Sequence, residues 1–217
     1  MPTILIEKQT PQVTVLTLNR PERRNALTIE LLSELNAAIK IASDQPDERV
    51  IVLRGAGAAF CTGLDLKEAA DQTKAHATAE MVANTLIAIS QTRLITIAAV
   101  HGAAVAGGAG IMSACDFVVA VGSELIEAER ANEIGLVNRV VANADLMTEA
   151  QKFAQSVLQG APGALAQTKR LMEELWSSSV KDDVELALKY HMRARESEEA
   201  REGIAAFNEK RKPKWIA

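Results

Sequence analysis

An apolar run, Ile95 to Val100, passes directly into His101-Gly102-Ala103-Ala104-Val105-Ala106-Gly107-Gly108-Ala109-Gly110, and the chain continues as Ile111-Met112-Ser113-Ala114-Cys115-Asp116. A short continuous apolar segment bounded by glycines reads as a buried strand. The small residues after it load the entrance of a helix, where the first N–H groups have no intrahelical partner. Those donors favour negative charge in front of them. An earlier segment repeats the plan: Val50-Ile51-Val52-Leu53, then a bend carrying Gly55, Gly57 and Gly63, then a helical pattern at Asp65-Leu66-Lys67-Glu68. Two strand–loop–helix units of this kind restrict the chain to an α/β fold with main-chain donors exposed at its loops.

Several chemistries compete for the second loop. A tight turn with glycines placed for packing is the plainest. Gly108 to Ser113 gives G-x-G-x-x-S, a near miss of a dinucleotide fingerprint, and Asp116 follows too soon for its acidic partner. A phosphate-binding P-loop lacks its Gly-Lys-Ser/Thr. An oxyanion hole needs a second donor, and the loop at 55–65 offers one. Two backbone N–H groups converging on a carbonyl oxygen stabilise developing negative charge, each worth about 3–4 kcal/mol when removed singly in other enzymes.

The rest of the chain narrows the field. Its 217 residues are 48% hydrophobic and 24% charged, with 24 basic against 28 acidic residues and a net charge of −4. That mixture argues against nucleic acid and membrane surfaces as partners. Aromatics at 3% supply no stacking platform for single strands. Met-Pro-Thr-Ile-Leu-Ile-Glu-Lys lacks a signal peptide's regions, and no apolar stretch reaches membrane-spanning length, so a cytoplasmic address is expected. Cys61 and Cys115 read as reduced buried thiols, with neither metal nor redox spacing. His76, His101 and His191 do not cluster, and His101 reads as a hydrogen-bonded structural histidine beside the loop. No metal site is expected.

Strands are predicted at Thr3–Lys8, Val13–Leu18, 50–53, 95–100, 117–120 and 137–141. Thr28 caps a helix whose Leu31, Leu32, Leu35, Ile39 and Ile41 mostly share a face. Glu124–Ile134 reads as a helix ended by Gly135. After Ala142 the pattern is helical, over roughly 146–159, 163–177, 181–195 and 197–210.

In four blocks the chain resembles the crotonase, or enoyl-CoA hydratase/isomerase, superfamily. They are Leu18-Asn19-Arg20-Pro21-Glu22-Arg23-Arg24-Asn25-Ala26-Leu27, Ala59 to Leu66, Ala99 to Asp116, and Ala131-Asn132-Glu133-Ile134-Gly135-Leu136-Val137-Asn138-Arg139-Val140-Val141. The ending, Glu202 to Phe207 with Lys210-Arg211-Lys212-Pro213, is similar too. The resemblance implies a spiral of ββα repeats over 1–141 that binds acyl-CoA, and a C-terminal helical region over 142–217 that builds a homotrimer or dimer of trimers. It implies a thioester oxygen held by the N–H groups of Leu64 and Gly107. CoA contacts are implied at Arg23, Arg24, Ala26, Leu64, Asp65 and Leu66. For Arg23 and Arg24 a solvated basic turn is an equal reading. No cofactor is expected beyond the CoA of the thioester.

The departures decide the chemistry. Hydratases of this superfamily use two glutamates, and the matching positions here hold Gly110 and Arg130. Glu127 and Glu129 lie close by, but read as an exposed helix face. A block of a few dozen residues, carrying the second acid, is absent near 120–123. Because losing a core element costs far more than a domain's margin of stability, a stretch missing only from the numbering is favoured over a true deletion. The expectation is an acyl-CoA enzyme of the hydratase/isomerase type acting in fatty acid metabolism, its acid or base lying in the absent block. The alternative is a non-catalytic CoA-binding or assembly subunit. A dinucleotide oxidoreductase is a third reading.

Overall fold

A computed structural model describes residues 2–65, 67–68, 74–121, 128–174, 186, 190, 193 and 197–216. The chain divides into two compact units, 1–154 and 155–217.

The first unit is built on a six-stranded sheet in the order β1 (Ile4–Thr10), β2 (Val13–Leu18), β3 (Val50–Gly55), β4 (Ile95–Val100), β5 (Phe117–Ala120) and β6 (Arg139–Val140). β1 and β2 form the antiparallel hairpin, and each later strand joins its predecessor in parallel. Parallel neighbours need crossovers, supplied by α1 (Ile29–Asp44), α2 (Ala75–Gln91), α3 (Gly107–Ser113) and α4 (Ala128–Glu133). Every residue of β2 and β4 is buried, as expected of strands covered on both faces.

Thr28 caps α1 as its sequence implies: extended at φ −117, its side chain accepts the Leu31 N–H at 3.2 Å. Leu31, Leu32, Leu35 and Ile39 are buried, joined by Ala38 and Ala42. Ile41 departs from the expected face and is 59% exposed, one residue off the i, i+3, i+4 row. The seventeen-residue helix α2 lies where no helix is predicted. Its clues were Ile89, four residues beyond Thr85, both buried, and an alanine-rich sequence.

Between β5 and β6 the chain joins without an intervening strand among the described residues: the two pair directly, Val119 opposite Arg139 and Ala120 opposite Val140. Asn138 reinforces the pairing, its Oδ1 accepting the Val118 N–H at 2.7 Å. Residues 122–127, at the expected break, lie outside the described residues. Gly135 ends α4 with φ +77, the left-handed cap expected of it.

α5 (Leu146–Gln159) runs through the division between the units. In the second unit, α6 (Pro162–Glu174) and α7 (Glu198–Asn208) are tied where Glu199 accepts the Gly163 N–H at 2.8 Å. Arg211 is held by Glu202 and Glu209, and the expected helix over 181–195 lies almost wholly outside the described residues.

Candidate active site

Beyond the C-terminal ends of β2, β3 and β4, three loop segments lie side by side. Single-residue parallel bridges, Leu27 with Leu64 and Cys61 with Ala104, connect them. Each turn of the chain thus gives one strand to the main sheet and one rung to a second, minimal ladder. The middle segment, 55–65, is fixed from both flanks.

On one side Leu27 donates to the Gly63 carbonyl at 2.7 Å and accepts from the Asp65 N–H at 2.8 Å. Because the residues before and after Leu64 make these bonds, the Leu64 N–H itself is directed to the opposite side. On that side Cys61 donates to the Ala103 carbonyl and accepts from the Val105 N–H, both at 3.1 Å. The chain then turns into α3 at Gly107.

Glycines set how closely the segments approach. A Cβ on Gly63 (φ +85) would lie 2.9 Å from the Ala106 Cβ and 3.3 Å from the Gly107 nitrogen. Ala106, the N-cap of α3, has φ 48 and ψ −119, a conformation costly for a residue with a side chain. Among the described residues, neither the Leu64 nor the Gly107 N–H donates a hydrogen bond. Two idle main-chain donors therefore belong to adjoining loops. α3 has only seven residues, so these two donors, rather than a long helix dipole, characterise the site.

The Asn19–Leu27 segment is clamped to this loop by side chains. Asn25 is fully buried with φ 56; its Nδ2 donates to the Ala56 and Ala59 carbonyls at 2.9 and 2.8 Å, and its Oδ1 accepts the Arg20 N–H. The Arg20 guanidinium donates to the Ala26 carbonyl and pairs with Asp65 at 3.1 Å. Sequence reasoning had not assigned Asn25 a role, although asparagine's tolerance of positive φ was a signal. His101 takes the expected structural part, its Nε2 hydrogen-bonded to the Gly57 carbonyl at 2.8 Å.

Burial works to raise the Asp65 carboxyl, but the Arg20 hydrogen bond and the Lys67 N–H outweigh it and hold the group below its ordinary value. A carboxylate depressed in the folded state contributes stability that is present in full above the unfolded value of about 3.9 and is lost as pH falls through the folded one. Urea midpoints of the parent and Asp65→Asn are therefore expected to differ at pH 7 and converge in strong acid. A constant difference across pH would show that the pair contributes no such linkage. Burial likewise pushes the Cys61 thiol up to about 11, consistent with an inert reduced thiol; Cys115 is only half-buried.

The other expected site residues fall as follows. Arg23 and Arg24 are exposed around the 3-10 turn Pro21–Arg23, and Ala26 is half-buried beside them. Leu66 and Glu127 lie outside the described residues. Gly110 sits in α3, where an added Cβ would meet only Leu86, at 3.6 Å, so packing does not demand a glycine there. Arg130 is exposed on α4 and pairs with Glu133, while Glu129 is exposed as expected. Next to the loops lies a cavity of about 300 Å³, walled by residues such as Val100, Ala109, Met112, Ala120 and Ala131. Among the described residues no cluster of His, Cys, Asp or Glu suits a metal ion, and no helix is long and apolar enough to cross a membrane.

The alternation of strands and helices in one mixed sheet is that of a crotonase-type α/β enzyme fold, and comparison with known proteins bears out this fold. The chain belongs to the enoyl-CoA hydratase/isomerase family, whose model matches residues 8–123 and 119–217. A Thermus thermophilus protein provisionally named an enoyl-CoA hydratase is 33% identical, over 97% of this chain and all of the relative. The mevalonyl-coenzyme A hydratase of Aspergillus fumigatus is 30% identical, over 97% of this chain and 94% of that one. The crystal structure of an enoyl-CoA hydratase from Mycobacterium smegmatis superposes with a TM-score of 0.95 at 27% identity, covering both chains completely. The family match divides at 119–123, and the Thermus alignment takes 257 positions against this chain's 217 residues.

Proposed function

We propose that the protein binds an acyl-CoA thioester and stabilises its enolate through the N–H groups of Leu64 and Gly107. The observation that carries this reading is the pair of idle donors on adjoining loops, each loop locked by its neighbours. An enolate gathers charge on the thioester oxygen, and fixed donors reward that charge without reorganising. Exposed Arg23 and Arg24 suit the phosphates of CoA, and Ala26, Asp65 and Leu66 complete the family's contact stretch. No cofactor enters beyond the CoA of the substrate. The same reading gives the C-terminal region a role in a homotrimer or dimer of trimers and places the protein in cytoplasmic fatty acid metabolism.

A 3-oxoacyl-CoA tests the donors directly, because its enolate absorbs in the ultraviolet where its keto form does not. Titrating acetoacetyl-CoA into the protein at neutral pH is expected to raise that band to saturation at one ligand per chain. Binding without the band would refute the oxyanion assignment.

A second reading has its own observation. The spacing of the family's two glutamates falls on Gly110 and the exposed Arg130, and among the described residues no titratable side chain lines the cavity. A protein so equipped binds and polarises a thioester without moving a proton, as a non-catalytic CoA-binding or assembly subunit would. Turnover of any enoyl-CoA in a panel of chain lengths decides for the hydratase or isomerase, whose acid or base then remains to be located; enolate binding with no turnover decides for the subunit.

A further inference from the structure

The cavity beside the loops is walled by the end of β4 (Val100), by α3 (Ala109 and Met112), by the end of β5 (Ala120) and by α4 with the turn after it (Ala131 and Leu136). Among the described residues, none that line it carries a charged or strongly hydrogen-bonding side chain. It also takes in Val105 and Ala106, the two residues immediately before the Gly107 donor. Leu64 and Gly107 do not themselves line it; Ala106, which does, is the residue bonded to Gly107 and so joins the chamber to that donor.

We propose, resting on the thioester reading above, that this chamber selects an unsubstituted apolar acyl chain of medium length, on the order of ten carbons by the measure of an engineered apolar cavity of about 150 Å³ that accepts benzene. Its volume of about 300 Å³ is too large to be filled by a two- to four-carbon acyl group and too small for the whole of a long one. An apolar wall gains with each buried methylene. A hydroxyl or carboxylate on the tail loses its water and finds no polar side chain among the described lining residues. The chamber lies where β5 and β6 pair directly, with Ala120 on one flank of the junction and Leu136 on the other.

Calorimetric titration of the full-length protein with straight-chain acyl-CoAs from two to sixteen carbons tests this. Affinity is expected to rise about fourfold per added methylene and to level off near ten carbons. A terminal hydroxyl on the decanoyl chain is expected to weaken binding about tenfold or more. Ala109→Leu narrows the chamber and moves the plateau to shorter chains. Leu136→Ala, at a 38% exposed position of the wall, moves it to longer ones. Equal affinity for acetyl-CoA and decanoyl-CoA overturns the chain-length inference while leaving the thioester site standing. A plateau that neither variant moves overturns it as well, placing the tail elsewhere. Failure of every acyl-CoA to bind removes the thioester reading itself.

Discussion

Gly108→Ala is expected to destabilise the protein by about 3 kcal/mol or more, at the upper end of what overpacking costs. A Cβ at this position would lie 2.2 Å from the Cys61 carbonyl oxygen and 2.8 Å from both the Cys61 carbonyl carbon and its Cβ. The first two of these atoms are main chain, so no rotamer change relieves the contact. α3 would have to move off the middle loop, and that movement would separate the Leu64 and Gly107 donors. Gly110→Ala serves as the control in the same helix. Its Cβ meets only Leu86 at ordinary distance, and alanine's helix propensity is expected to raise stability by about 0.5–1 kcal/mol. Urea denaturation of both variants checks the contrast; equal midpoints would mean the loops are not in close contact.

Asn25→Ala is expected to cost about 3 kcal/mol and to abolish the enolate band given by acetoacetyl-CoA. The substitution leaves the Ala56 and Ala59 carbonyls and the Arg20 N–H without the partner that Asn25 supplies. It also forces alanine to hold φ 56, which asparagine tolerates better. The lost bonds fix the register of the 55–65 loop, so the damage reaches Leu64 although Asn25 is fully buried. Asn25→Gly, which accepts the backbone angle but makes none of the bonds, separates the two contributions. If Asn25→Ala melts with the parent, the clamp is not what holds the loop.

These effects bear on how the chemistry is divided. The chain keeps the scaffold that presents two N–H groups, because those groups belong to the main chain and survive any change of side chain that preserves the loops. Acid and base groups, by contrast, are side chains, and a substitution such as a glycine at Gly110, where an added Cβ would meet only Leu86, removes one without disturbing the packing. Main-chain donors and side-chain acids therefore respond to different substitutions. For that reason, turnover and enolate binding must be measured separately.

Much of the architecture was legible in local sequence. Val13–Leu18, Val50–Leu53 and Ile95–Val100 announce buried strands because parallel strands covered on both faces need continuous apolar runs. Thr28 announces the start of α1 and Gly135 the end of α4, since capping chemistry acts over three or four residues. α2 was not legible: Thr78 and Thr85, both buried in it, bond back to the Lys74 and Met81 carbonyls, and such residues read as polar until their partners are known. β6 proved shorter than the predicted 137–141 because only Arg139 and Val140 stand in ladder register with β5, while the Asn138 and Val141 N–H groups bond to the Val118 and Ala120 carbonyls at its ends.

What the sequence determined by itself is the α/β alternation, the family and the loops from which main-chain donors project. All of these follow from periodicity, glycine placement and motifs contiguous in the chain. What only the tertiary structure decided is the relation between distant segments. Leu64 turns its N–H toward the α3 side because Leu27 occupies the other flank, and Gly108 must lack a side chain because the Cys61 carbonyl approaches it. Asn25 carries its weight through carbonyls more than thirty residues away. These constraints are set by distances between chains of atoms that sequence order leaves free, and packing alone fixes them.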